Sequence, residues 1–294
     1  MRHRSHLFGL LTALLLLLSA GGRITAQEAS PVPDPSGPGY VVVASELTSP
    51  RGFTWGPDGT LYVALAGSGG PNAATEAAPT TDAIGPWTGG PTAAVVSITG
   101  GCPVAVATGL PSSIDATGGI LGTDDVAFLG GELYVAVDGG GTVHGNPDQP
   151  SGIYRVADGA ATVVADLSAW VRANPVAAVP PDYDPDAAGY RMVADEAGGM
   201  LWVLDPNSGQ VISVTPDGTI ARVADLSAQH PVPAAIVADP EGGVYVGYLT
   251  AVPFPDGASM VVHVARDGTV TDVWTGLTVV TGLAVDAAGT SRAA

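Results

Sequence analysis

The chain has no lysine and a single cysteine, Cys102. Without lysine there is neither a Walker-type phosphate loop nor a pyridoxal Schiff base, since both need that amine. One cysteine cannot close an intrachain disulfide, so stability has to come from packing. Ten arginines face 28 acids, a formal charge of −18. That balance argues against nucleic-acid binding, in which basic side chains neutralise phosphates. Gly-x-Ser-x-Gly, His-Glu-x-x-His, Cys-x-x-Cys and Asn-x-Ser/Thr are all missing, which argues against the hydrolases built on the first two motifs and nothing wider.

The long apolar run, Leu7 to Ala20, is short for a membrane span. It follows Met1-Arg2-His3-Arg4 and leads to small residues up to Ala26, the order of a signal peptide with a cleavage site at Ile24-Thr25-Ala26 or Leu18-Ser19-Ala20. No twin arginine precedes the run and no lipid-accepting cysteine follows it, so the expected route is general export to a periplasmic or extracellular location. The division expected is a signal peptide at 1–26, a Pro/Gly/Ser-rich flexible leader at 27–39, and one domain at 40–294. Removing the signal peptide leaves seven arginines against the 28 acids. Strong acidity in an exported protein goes with solubility or with use of divalent cations.

What is plentiful is glycine and proline, 41 and 25 residues, and they punctuate a repeat. Its clearest copy is Arg51-Gly52-Phe53-Thr54-Trp55-Gly56-Pro57-Asp58-Gly59-Thr60-Leu61-Tyr62-Val63-Ala64. Two strands, Phe53–Trp55 and Leu61–Ala64, are joined by a turn in which Pro57 presets φ and Gly59 takes the left-handed position. The second strand is apolar at successive positions, so both of its faces are covered. Copies recur at 125–136, 192–203 and 236–246, and a fifth begins at Gly282. Between copies lies a second hairpin: 95–98 with 104–106, 153–156 with 162–164, 211–214 with 220–223, and 261–264 with 270–273. Three of these turn on Asp-Gly, at Asp158, Asp217 and Asp267. Two hairpins make a four-stranded unit of about 40–50 residues, the period of a β-propeller blade. The fold class expected is all-β, a β-propeller of four-stranded blades, with about four complete blades plus parts. The markers Tyr62, Tyr134, Trp202 and Tyr245 are unevenly spaced, the first two gaps being wide enough to hold insertions.

Along the chain, Tyr40–Glu46 is expected to form a strand that completes the blade made by the other terminus. The insertion 67–92, with its lone Trp87, is expected to be a surface loop rather than a lid over one face. Asp138-Gly139-Gly140-Gly141-Thr142-Val143-His144 leads into no helix start, so it is taken as an inter-strand excursion and not a phosphate site. His144, His230 and His263 are isolated in sequence and are poor metal-ligand candidates. A short helix is expected over Asp166–Ala173, where Leu167, Trp170 and Val171 fall at helical spacing.

Calcium is the one cofactor with candidate ligands. Asp124 and Asp125 precede the second copy and Asp205 and Asn207 end the third, while Asp195 lies inside it. Turn aspartates, however, commonly cap backbone N–H groups. Asp182, Asp184 and Asp186 alternate as calcium-loop ligands do, but Ala187 stands where such a loop needs Gly and Val193 where it needs Glu. A solvated acidic loop is the simpler reading.

The run Val244-Tyr245-Val246-Gly247-Tyr248-Leu249-Thr250-Ala251-Val252-Pro253-Phe254-Pro255-Asp256-Gly257-Ala258 resembles the YVGELTGFPFPVGAA signature of the ScyD/ScyE family. Pro50–Phe53 with Gly56–Ala64, Asp125–Phe128, and Ala165-Asp166-Leu167 with Ala173-Asn174-Pro175 resemble it too, so the likeness covers roughly 40–290. It implies an exported propeller, six-bladed in the family, of the NHL and SMP-30 kind, and it brings no established reaction or catalytic set. Tyr248 stands where the family has Glu, and 187–190 lacks its Asn-Pro-Tyr-Gly pattern. The pattern stops between Thr290 and Ser291, about a blade and a half before the family's end, so the chain is expected to be C-terminally truncated, by a frameshift or a break in assembly. The signal peptide, the repeats, the long loops and the missing motifs together lead to the expectation of a scaffold whose loops bind a small molecule or a protein, as a monomer. The alternative is a calcium-dependent lactonase of the gluconolactonase type, using axial Asp and Asn residues with calcium as Lewis acid. A part in making an exported metabolite rests on the family name alone.

Overall fold

A computed structural model of the chain describes residues 41–77, 85–186, 189–286 and 291–293. The expected signal peptide and leader, with Ala187 and Ala188, lie outside them. The chain divides into two units, Met1–Val43 and Ala44–Ala294. Of the first, Val41, Val42 and Val43 are described, all exposed.

The second unit is built from repeated antiparallel sheets. Blade one joins β1 (Pro50–Trp55), β2 (Leu61–Leu65), β4 (Thr88–Thr99), β5 (Cys102–Ile114) and β6 (Ile120–Leu121), with β3 (Asn72–Ala73) paired to β4. Blade two is β7 (Thr123–Leu129), β8 (Glu132–Val137), β9 (Gly152–Ala157) and β10 (Ala160–Asp166). Blade three is β11 (Arg191–Asp195), β12 (Met200–Asp205), β13 (Gln210–Val214) and β14 (Ile220–Asp225). Blade four is β15 (Pro233–Ala238), β16 (Val244–Tyr248), β17 (Ser259–Val264) and β18 (Val270–Leu277). A further pair, β19 (Leu283–Val285) with β20 (Ser291–Ala293), follows. The fold is an all-β propeller of four-stranded blades. Each repeat copy is the hairpin of a blade's first two strands, and each intervening hairpin is the other two. Ser291–Ala293 pairs with Leu283–Val285 although its residues no longer resemble Leu-Tyr-Val, because backbone pairing does not need that pattern.

The turns follow their residues. Gly59 sits at φ +79° while Asp58 accepts from the Thr60 amide at 3.0 Å. After β10 the chain enters α1 (Leu167–Ala173), capped by the Asp166 carboxylate on the Ala169 amide.

Packing explains the unbroken apolar second strands. One core joins blades one and two through Val95, Leu110, Val135 and Tyr154. A second joins two and three through Tyr134, Ile153, Leu201 and Ile212. A third joins three and four through Trp202, Leu204, Val246 and Val262, and Val261, Val280 and Leu283 carry the packing on to β19. Fully burying such side chains contributes roughly 1.5–3 kcal/mol each, and this replaces the missing disulfides.

Two expectations are corrected. Tyr40 lies outside the described residues; 41–47 form no strand, and Glu46 and Ser49 take φ of +61° and +52°. Leu47 instead packs with Val63, Leu65 and Val96 on the free face of blade one. The insertion 67–92 is more than a surface loop. It contributes β3 and the start of β4, and Trp87 is buried with its ring edge-on to His144 at 5.2 Å. Apolar burial of that one ring pulls the segment against blade two.

Candidate functional site

The first strands of the blades, β1, β7, β11 and β15, together with β19 line a cavity of about 730 Å3. Polar groups gather where β7 begins and β8 and β12 end. There Gly52 of β1 lies so close to β7 that a Cβ would collide with the Asp125 carboxylate and the Asp124 carbonyl.

Asp124 is 2% exposed, with Oδ1 3.7 Å from Arg51 Nε and Oδ2 without a hydrogen-bond partner. Burial and then the charge of Asp138 push its carboxyl well above the usual range. Asp138, directly after β8, is equally buried, and its Oδ1 also lacks a partner. Burial raises its carboxyl to about 7, with Asp184 and Asp205 adding to the rise and His144 opposing it. Unpartnered oxygens on two buried, mutually repelling acids are costly.

Asp125 points elsewhere. Its Oδ1 accepts the Val126 amide and its Oδ2 the Met192 amide, each at 3.0 Å, which ties β7 to β11. Burial raises its carboxyl to about 6. Asp205 is buried and accepts from Ser208 Oγ, the Ser208 amide and Gln210 Nε2. Burial raises its carboxyl against those bonds. Asn207 accepts the Asp184 amide at 2.6 Å and donates to the Asp182 carbonyl at 2.7 Å, so it clamps the acidic loop.

The three loop acids turn to different partners. Asp182 stands 3.6 Å from His230 Nε2. Asp184 Oδ2 lies 2.9 Å from Nε2 of His144, a fully buried ring whose Nδ1 is 2.8 Å from the Gly140 carbonyl. Burial pulls the imidazole down, but the charge and hydrogen bond of Asp184, with Asp138 behind, win and raise it to about 9. The same partner holds Asp184 below the usual range in spite of its burial. Asp186 accepts the Val143 amide at 2.7 Å and Arg172 Nη2 at 2.8 Å, and Arg172 also binds Glu76 of the insertion at 2.9 Å.

Oxygen and nitrogen atoms of His144, Asp184 and Asp186 fall within 4.8 Å of one another, an acidic cluster of metal-site dimensions. Nδ1 faces the Gly140 carbonyl and so carries hydrogen, which turns Nε2 towards Asp184. Asp124 and Asp138 present free oxygens with no donor, which fits a hard cation such as calcium.

Of the residues singled out in the sequence, Asp124, Asp184 and Asp205 come within electrostatic reach of one another through Asp138. Asp125 and Asn207 stand beside them as structural ties. Asp195 closes β11 and binds Arg266 at 2.8 Å and Trp202 Nε1 at 3.3 Å, which makes it an interblade clip. The sequence reading missed Asp138 as a site residue and the pairing of His144. Forty residues separate His144 from Asp184, and only the fold joins them.

No family profile matches the chain, and no curated protein matches it. Solved structures do. Virginiamycin B lyase from Staphylococcus aureus is 13% identical over 84% of this chain and 63% of its own, at a TM-score of 0.46. A gluconolactonase from Xanthomonas campestris is 12% identical over 84% and 69%, at 0.49. Regucalcin, a calcium-binding protein from Agrobacterium tumefaciens, is 14% identical over 82% and 80%, at 0.43. The chain spans 63% and 61% of the two streptogramin B lyase structures it matches. These are propellers of the gluconolactonase, regucalcin and streptogramin B lyase kinds, and at such identities the likeness stops at the fold.

Proposed function

We propose that this chain is an exported β-propeller of the ScyD/ScyE kind that binds a ligand at the axial face where β7 begins and β8 ends, with calcium held by Asp124 and Asp138. The observation that carries the reading is the pair of buried carboxylate oxygens, Asp124 Oδ2 and Asp138 Oδ1, that no donor satisfies. Two ionised acids buried together stay so only with a counter-charge. Arg51, at 3.7 Å from the other oxygen of Asp124, supplies part of it. Bound calcium supplies the rest and offers open positions to an oxygen-bearing ligand. The test is calorimetry with calcium on the full chain. One saturable site, lost in Asp138→Asn and in Asp124→Asn, is the expected result. No heat from the unaltered chain overturns the reading.

The alternative, calcium-dependent lactone hydrolysis, uses the same residues. What favours it is that Asp138 keeps an oxygen free of hydrogen bonds, as a general base must. Calcium would polarise the lactone carbonyl. Chelator-sensitive hydrolysis of gluconolactone that Asp138→Asn abolishes supports it, and binding without turnover leaves the scaffold reading alone.

A further inference from the structure

Arg191 opens β11 and lines the central cavity. Its guanidinium stacks on the Tyr190 ring at 5.1 Å. Among the described residues it makes no hydrogen bond, although five donors in a planar fork are suited to carboxylates. Every other arginine with a described side chain is engaged. Arg51 binds the Ile120 carbonyl, Arg155 binds Glu132, and Arg172 binds Glu76 and Asp186. Arg222 binds Gln210, and Arg266 binds Asp195. In a chain of net charge −18, a cation that reaches Asp124 and Asp125 only through space and hydrogen-bonds neither needs a reason. The cavity acid facing it cannot serve, because Asp125 spends both oxygens on backbone amides.

The same cavity carries an exposed aromatic pair. Along β1, Phe53 and Trp55 are 64% and 61% exposed while Gly52 between Arg51 and Phe53 is buried. Residues two apart in a strand share a face, so the two rings form one stripe. Ile236 and Leu283 add apolar lining from the strands across. A volume of about 730 Å3 is in the range that holds a small organic ligand, and an apolar wall with one or two fixed polar groups is the usual lining of such a site. An exposed Trp-Phe pair gains by stacking on a flat ring.

We infer that the axial cavity is a binding site for an aromatic carboxylate, its acid group on Arg191 and its ring on Phe53 and Trp55. This inference does not depend on calcium at Asp124 and Asp138, and the probes separate the two. Calorimetry compares 2-naphthoate with the uncharged 2-naphthamide in chelating buffer at neutral pH. The naphthoate is expected to bind about tenfold more tightly, the increment of one charge-assisted contact. Arg191→Gln should remove that advantage and leave the amide unchanged, Arg191→Lys should keep part of it, and Phe53→Ala should weaken both probes. Phe53 is exposed, so its loss tests the ring site even if an Arg191 variant folds poorly. No binding of naphthoate overturns the inference, as does equal affinity for the two probes or indifference to both Arg191→Gln and Phe53→Ala. A calcium titration lost in Asp138→Asn is read independently of all these outcomes.

Discussion

The His144 imidazole lies 2.9 Å from the Asp184 carboxylate with none of its surface exposed. The charge and hydrogen bond of that partner favour its protonated form against the cost of burial. A folded-state value of about 9 exceeds the roughly 6.5 of an unfolded histidine. Its contribution to stability is therefore whole below about 6.5 and disappears as pH rises through about 9. Asp184 behaves in the mirror sense: its depressed value means its share is present above the unfolded carboxylate range and is lost on acidification. Urea melts of the full chain from pH 6 to 10 should show a fall in stability that His144→Asn lacks. A flat profile in the unaltered chain would sink the imidazolium assignment.

Asp138→Asn should act in opposite directions with and without calcium. In chelator at pH 8 it removes a buried, partly unpaired charge and should stabilise the fold by about 1–3 kcal/mol. With calcium at a hundred times its dissociation constant the unaltered chain should gain about 2.7 kcal/mol, and the variant nothing. Paired thermal melts read both, and equal calcium shifts for the two proteins would remove Asp138 from the site.

Arg172 and Glu76 should differ as partners. Glu76→Gln loses an ion pair that is 35% and 45% exposed, so the cost expected is no more than about 1 kcal/mol. Arg172→Ala also strands the 2%-exposed Asp186, and removing one partner of a buried pair costs about 3–5 kcal/mol. Denaturant melts of the two variants that cost the same would mean Asp186 is held mainly by the Val143 amide.

Trp202, fully buried between blades three and four, is the side chain whose loss should be felt most. Trp202→Ala should cost about 3–5 kcal/mol. It also releases Asp195 from its indole contact at 3.3 Å. A loss below about 1 kcal/mol in a urea melt would contradict the third interblade core.

Export is tested by expressing the full chain in a bacterial host and weighing the product. A mature N-terminus at Gln27, recovered outside the cytoplasm, is the outcome expected. An intact Met1 in the cytoplasm would refute it.

The blade plan was legible because it lives in short-range pattern. Gly59, Gly159, Gly218 and Gly268 sit at positive φ in the turns, and the apolar second strands carry both-face burial in their residues. The helix after Asp166 was legible for the same reason, since Leu167, Trp170 and Val171 fall at helical spacing and the capping carboxylate is three residues from the amide that donates to it. The site was legible only in part. Asp124 and Asp205 could be picked out beside repeat copies, but Asp138 looked like the edge of a glycine-rich loop. Nothing local marks His144 as an imidazolium or Arg191 as lacking a hydrogen bond. Each depends on which strands the fold brings side by side. No strand forms over 41–46, because a run such as Val41-Val42-Val43 says nothing about whether an edge is there to receive it.

Among the described residues, three cores lie between one blade and the next in the chain and another joins blade four to β19, while a smaller one lies on the free face of blade one. The polar stitches keep that order: Asp125 reaches Met192, Asp195 reaches Arg266, and Glu76 reaches Arg172. Such a molecule can be assembled in the order it is synthesised, each new sheet docking on the last as it emerges. Damage should then be confined to a joint and its two neighbours, so a broken interface would appear in hydrogen exchange as a local step and not as loss of the whole.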